Sequence, residues 1–355
     1  MERIKLGMIA VAPIVAAAVG VVLLASATMV FVNSRGFGYD FVAYDAAARR
    51  IVEGTPLYLA NTAELYRQHL YDGLYLYPPP LAIALIPLAV LTSHDATVVW
   101  LVLRIGILVG GCWLMPVGRR ARLLTFAVAC VSLPALFDLN LGNISIVVFA
   151  LSALAWRTTD RPIGAAAHAV LIAIRFPFTV FFLKWLVERR TRTIVLTVAV
   201  GLFLIVVSLP IVGLATYLDY VTILRGLPDI STGPHNLSLK STALIAGIPE
   251  GVAAIAIPAG YLAGVAAIAY SARRRDPDVA FVVCVTATLL LSPFIHPHYL
   301  VVLLLPTALL VDRGHSWALV LPLLAWLPDP LLPLLAPLAI GALLLTGRPA
   351  GPVAS

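Results

Sequence analysis

Five of the chain's 17 acidic residues fall in one polar stretch, between Asn33 and Tyr77: Asp40, Asp45, Glu53, Glu64 and Asp72. A carboxylate held near an acceptor hydroxyl can take its proton, so a stretch that gathers scarce carboxylates is the first place to look for chemistry. Asp40 has a second reading as the cap of the helix that follows it, although the residue three places on is Ala43, which cannot complete a capping box. Asp45 lies four residues before Arg49, the spacing of a surface ion pair on one helix face. Further along, Arg175 interrupts an apolar run beside Pro177. It reads either as a snorkelling helix end or as an anion contact that grips phosphate oxygens bidentately. His296 and His298 follow Ser292-Pro293 and stand two apart, a spacing that does not share a helix face and makes a poor metal pair. Asn143 and Asn236 each begin an Asn-x-Ser triplet. Arg104, in the middle of an apolar run, is an intramembrane charge whose partner is not apparent from sequence.

The elements that must position these residues are apolar helices. Hydrophobic residues make up 61% of the chain, charged residues 12%, and the mean hydropathy is +1.00, against about 25% charged residues in soluble domains. The apolar runs are continuous, which excludes an alternating transmembrane barrel. They fall near 6–32, 78–92, 96–117, 122–137, 143–156, 162–174, 176–187, 193–214, 250–271, 279–295, 299–311, 316–327 and 331–346. The expectation is an all-α polytopic membrane protein with about 11–13 membrane segments. It is read as one membrane-embedded domain over 1–355, with a first span at 6–32, an outer loop at 33–77, the remaining segments at 78–346 and a tail at 347–355.

The first apolar run is too long for a signal-peptide core and has no convincing cleavage site, so it reads as a retained span. Its basic flank, Arg3 and Lys5, places the N-terminus in the cytoplasm and the stretch 33–77 outside. Basic clusters at 119–122, 157–161, 188–192 and 273–275 mark the cytoplasmic side by the same rule, and residues 140–143, 175, 215–243 and 296–298 then share the opposite side. Two runs lie between Tyr77 and Arg119, which gives the wrong parity. Either 78–92, with Pro78, Pro79, Pro80 and Pro87, is a partial or re-entrant segment, the reading preferred here, or 162–187 is one kinked helix.

Within the outer loop, Phe41, Tyr44, Ala47, Ala48 and Ile51, with Gly54 as a stop, predict a short amphipathic helix at the membrane surface. Seven of the 12 tyrosines sit in the same loop, as an interfacial belt in the preferred reading or as a sugar-binding surface. The three cysteines lie in apolar runs with no CxxC pair and read as structural thiols. No HExxH, P-loop or GxGxxG is present, and the net charge of +7 sits in short clusters that report topology, not nucleic-acid binding.

Taken together, these pieces resemble the family 87 polyprenol-phosphate-sugar glycosyltransferases, over roughly residues 36–306. The carrying motifs are Asp40-Phe41-Val42-Ala43-Tyr44, the run Ala46-Ala47-Ala48, Gly54-Thr55-Pro56-Leu57-Tyr58 and Tyr77-Pro78-Pro79-Pro80. Weaker elements fall at Gly142-Asn143-Ile144-Ser145, Arg175-Phe176-Pro177, Asn236-Leu237-Ser238, and Ser292-Pro293 with His298. The chain departs from the family pattern at Asn143 (Gln in the family), Arg175 (Lys) and His296 (Trp).

The resemblance implies a GT-C-like bundle and an inverting hexosyltransferase, with mannose as the family's commonest donor sugar. The sugar would pass from a polyprenyl-phosphate donor to a glycolipid or glycan acceptor. It implies Asp40 as the catalytic base, Arg175 and His298 at the donor phosphate, and Tyr44, Asp45, Asn143, Asn236 and His296 at the substrates. It calls for no cofactor and no metal. The enzyme would sit in a bacterial plasma membrane with its site on the exoplasmic face, serving the cell envelope. Two other classes stay open at this stage: a transporter or flippase of a lipid-linked sugar, and a polymerase or ligase that uses a polyprenyl-diphosphate donor.

Overall fold

A computed structural model of the protein describes residues 2–68, 70, 73–227 and 236–347. Asp72 and Tyr71 of the outer loop, residues 228–235 of the loop 215–243, and most of the tail lie outside the described residues. Among those described there is no strand, and the chain is an all-α polytopic membrane protein. Among the described residues five helices are long and apolar enough to cross a bilayer: Val11–Val32, Ser93–Leu114, Thr191–Gly226, Glu250–Arg274 and Asp329–Thr346. Arg119–Ala129 and Leu133–Leu141 make a sixth if taken together as one span, bent by 59°. Seven further apolar helices are shorter. The expected segments are therefore present as helices, and about half of them are short.

Ser145–Arg157 and Pro162–Ile174 have 13 residues each and Pro277–Leu290 has 14, which is about 20 Å of helix against a hydrocarbon core of about 30 Å. Local signals fix their ends. Pro162 and Pro277 stand in the first turn, where a missing N–H costs nothing. The Asp276 carboxylate caps by accepting from the Val279 amide at 3.1 Å. Gly142, at φ 81°, ends Leu133–Leu141 in the left-handed region that glycine enters freely.

The short helices rise from one end of the bundle and turn back. At that end Arg190 pairs with Asp160 and, at 3.0 Å, with Glu188. Trp156 donates to Asp278 at 2.8 Å, Arg313 pairs with Asp276 at 2.8 Å, and the Gly118 amide donates to Asp312 at 2.7 Å. These contacts gather the clusters 119–122, 157–161, 188–192 and 273–275 at a single basic end. Residues 162–187 leave it and return to it as a hairpin with its tip at Arg175. Inside the hairpin the His168 ring on the first arm packs 4.4 Å from Phe181 and 4.8 Å from Trp185 on the second. One kinked helix over 162–187 is thus not what forms, because Arg175-Phe176-Pro177 reverses the chain.

The segment 78–92 is helical only over Pro79–Leu88. It starts and finishes beside the outer-loop helix Tyr39–Val52. Arg49 donates to the carbonyls of Ala89 and Leu91 at 2.9 and 2.7 Å, and the Ser93 hydroxyl donates to Asp45 at 2.9 Å. The segment is a short helix folded back against the outer-loop helix.

The outer-loop helix ends as its sequence suggests, with Gly54 at φ 68°, but it packs into the bundle. Phe41, Ala43, Tyr44, Ala47 and Ala48 are buried. The tyrosines depart from the belt reading. Tyr44, Tyr58 and Tyr75 are buried, Tyr58 stacks on Tyr75 and Tyr220, and their hydroxyls bond inward, to Tyr77 Oη (3.3 Å), Tyr77 O (2.7 Å) and Pro78 O (2.9 Å). A loop rich in tyrosine can build its own core when each hydroxyl finds a partner there.

Candidate active site

At the end opposite the basic clusters, the tips of the short helices meet the outer-loop helix. Broken backbone in this region needs polar partners that water or lipid will not supply, and side chains provide them. Trp100 Nε1 donates to Gly142 O at 2.9 Å, and Arg104 donates to the carbonyls of Asp138 and Leu139. Asn236 binds the tip 292–298 by donating to Pro293 O at 3.2 Å and accepting from the Ile295 amide at 3.0 Å. The Gly38 amide donates to Asn140 O at 2.8 Å, which pins the start of the outer-loop helix to the turn 138–145. The fit there is close: a Cβ on Gly142 would lie 2.6 Å from Phe41 Cβ.

Asp40 stands in the first turn of its helix. Gly38 occupies the cap position and no side chain caps that helix, so capping is not the work of the Asp40 carboxylate. Its Oδ2 accepts from Asn143 Nδ2 at 2.8 Å. Burial raises the carboxyl above its ordinary pKa, while the Asn143 hydrogen bond and the Arg104 charge oppose that rise.

Asn143 in turn is fixed by the amides of Ile144 (2.7 Å) and Ser145 (3.1 Å) and by the Ser145 hydroxyl (2.9 Å), all donating to its Oδ1. Ser145 Oγ also accepts from Arg175 Nη2 at 2.7 Å. The Arg175 guanidinium lies over the Tyr299 ring with its carbon 3.2 Å from the centroid, a cation–π contact. Among the described residues no carboxylate pairs with Arg175. Tyr77 lies within electrostatic reach of both Arg175 and Asp40.

Four of the expected residues therefore meet: Asp40, Tyr44 through Tyr77, Asn143 and Arg175. His298 is close by, buried against Tyr299 (4.8 Å between rings), Phe137 and His296, with neither ring nitrogen hydrogen-bonded. His296 stacks on His298 at 5.5 Å between ring centroids. Asn236 contacts the loop that carries both histidines. Asp45 sits apart, since helical spacing turns it away from the face shared by Asp40 and Tyr44. It is held at 2.9 Å by Arg49 and at 2.9 Å by Ser93.

The sequence reading missed Asp138, Ser145 and Tyr299. Asp138 is the buried partner of Arg104, and its Oδ2 accepts from the Ser145 amide at 2.8 Å. Charge balance offered a signal, because an intramembrane arginine needs an acid and Asp138 interrupts an apolar stretch.

The family model of glycosyltransferase family 87 matches residues 75–293, more than half of the chain. The chain belongs to glycosyltransferase family 87. No curated protein and no solved structure matches it. This family 87 chain is thus a membrane glycosyltransferase, with a sugar donor and an acceptor as its substrates. The matched segment includes Tyr77, Asn143, Arg175 and Asn236. Asp40 and Tyr44 precede it, and His296 and His298 follow it.

Proposed function

We propose that this glycosyltransferase moves mannose from a polyprenyl-phosphate donor to a lipid- or glycan-linked acceptor, with inversion, in a GT-C-like bundle whose site faces the outside of a bacterial plasma membrane. The observation that carries the reading is a carboxylate and a guanidinium with no carboxylate partner among the described residues, both bound to one turn through Asn143 and Ser145.

Asp40 takes the proton of the acceptor hydroxyl as that oxygen attacks the anomeric carbon. The bond from that carbon to the phosphate oxygen breaks, and the lipid phosphate leaves with the electron pair. Arg175 stabilises the charge that grows on it, which helps the transition state more than the ground state. His298 can add one hydrogen bond in its neutral form. Tyr44, Asn143, Asn236 and His296 are assigned to the walls around the substrates. Asp45 is assigned to substrate binding through the segment that it and Arg49 hold. The short helices fit a lipid-borne donor. If the basic end lies at one membrane surface, tips about 20 Å above it lie within the bilayer thickness, level with a prenyl chain entering from the side.

The test is transfer by purified protein from radiolabelled polyprenyl-phospho-mannose to a crude lipid acceptor fraction, with polyprenyl-diphospho-sugar as the comparison donor. Activity only with the diphosphate donor overturns the donor assignment. For the sidedness, a cysteine at exposed Val90 is expected to react with an impermeant thiol reagent on intact cells and one at exposed Arg274 is not. The reverse pattern overturns the outer-face site.

A further inference from the structure

The directions of the hydrogen bonds between Arg175 and Asp40 are forced. A guanidinium has no acceptor, so Ser145 Oγ must accept from Arg175 Nη2. The hydroxyl proton of Ser145 is then free for Asn143 Oδ1, 2.9 Å away. That oxygen also receives two backbone amides, which only donate. The amide orientation follows, and Asn143 Nδ2 must face Asp40 Oδ2. Every donor in the chain points from the cation toward the carboxylate. Asp40 Oδ2 is committed as an acceptor, and Oδ1 has no hydrogen bond among the described residues. Ser145 itself is 1% exposed, and its backbone is fixed because its amide is held by Asp138, which Arg104 holds in turn.

We infer that Ser145 is a positioning residue that couples the anion-binding Arg175 to the proton-accepting Asp40. The inference rests on the reading of Asp40 as the base and of Arg175 as the phosphate contact. Linked hydrogen bonds of one direction polarise one another in a low-dielectric interior. The guanidinium therefore strengthens the Asn143 donation that favours the ionised form of Asp40. When the departing phosphate draws on the same guanidinium, that support weakens, and Asp40 becomes a better proton acceptor as the acceptor hydroxyl gives up its proton. Ser145 touches neither substrate in this scheme; it acts through its two neighbours.

The experiment replaces only the hydroxyl. Ser145→Ala keeps both backbone amides on Asn143, so the turn is expected to stay folded, checked by thermal unfolding of the purified protein. At a pH on the wild-type acid limb its kcat/KM is expected to fall about tenfold, the scale of one hydrogen bond to a charged group. The acid limb of its kcat/KM profile is expected to move to higher pH. The pKa of Asp40, read by difference infrared spectroscopy against Asp40→Asn, is expected to rise without any substrate present. Ser145→Thr, which restores a hydroxyl, is expected to return the pH profile toward wild type. An unchanged Asp40 pKa in Ser145→Ala overturns the coupling. Full transfer by Asp40→Asn overturns the base reading instead, so the two failures are told apart.

Discussion

The basic clusters and the Asp40–Arg175 pair of groups at the other end treat charge differently. At the basic end, acids and bases meet directly: Lys184 with Glu188 at 2.7 Å, Arg190 with Asp160 and Glu188, Arg313 with Asp276 at 2.8 Å. At the other end Asp40 and Arg175 have opposite charges and do not pair. Two neutral side chains, Asn143 and Ser145, stand between them. A direct pair would quench both groups for chemistry. Keeping them apart leaves one carboxylate oxygen and most of the guanidinium donors for ligands. The contrast separates charge used to hold helices together from charge kept for reaction.

The largest effect is expected at the base. Asp40→Asn should lower transfer by about 10²–10⁴-fold, the scale of a lost general base. Because burial raises the Asp40 pKa in the folded protein, the ionised form costs stability above that pKa. The same variant is therefore expected to melt no lower than wild type at neutral pH, a stability–activity trade-off. Near-wild-type turnover would remove Asp40 from the mechanism. Next, Arg175→Ala should lower kcat by about 10²–10³-fold, in line with loss of one oxyanion donor, while Arg175→Lys keeps much of the rate. Equal activity of the Ala variant across donor concentrations would make Arg175 a snorkelling helix end.

Behind both stands a fully buried pair at the site end, Arg104 with Asp138. Removing one partner leaves a buried charge, so Arg104→Met should destabilise the protein by about 3–5 kcal/mol, read by denaturation in detergent. A loss under 1 kcal/mol would show that the pair does not hold the turn. A smaller effect concerns pH. A base works when deprotonated, so activity should fall as pH drops through the raised pKa of Asp40. Asn143→Ala removes a hydrogen bond that opposes the rise, so its acid limb should lie at higher pH than that of wild type. A limb at unchanged or lower pH would contradict the assigned role of Asn143. The smallest effect belongs to the basic end. Asp160 is 81% exposed in its pair with Arg190, and Asp160→Asn should change stability by under about 1 kcal/mol and transfer not at all. A large loss there would erase the contrast between the ends.

Composition and run length made the all-helical membrane class legible, because continuous apolar segments admit few other folds. The outer-loop motif marked Asp40 and Tyr44, and the polar interruptions marked Asn143 and Arg175, since a polar group inside an apolar stretch is costly without a reason. The use of a polar group was harder to read. Tyr44, Tyr58 and Tyr75 looked like an interfacial belt, and in the fold their hydroxyls bond inward. Asp138 went unnoticed because its meaning depends on Arg104, 34 positions away.

What the sequence by itself determined is the material: hydrophobic runs of set lengths, basic clusters at their ends, prolines and glycines where helices must start or turn. Those are local properties, fixed by helix geometry and by the cost of polar groups in lipid. Only the tertiary structure decided that 162–187 doubles back at Arg175, that 78–92 folds against the outer-loop helix, and that Ser145 stands between a cation and a carboxylate. The last of these joins residues 40, 143, 145 and 175 over hydrogen bonds of 2.7–2.9 Å. The deciding physics is the need of every buried donor and acceptor for a partner, and which partner it finds depends on how the helix tips meet.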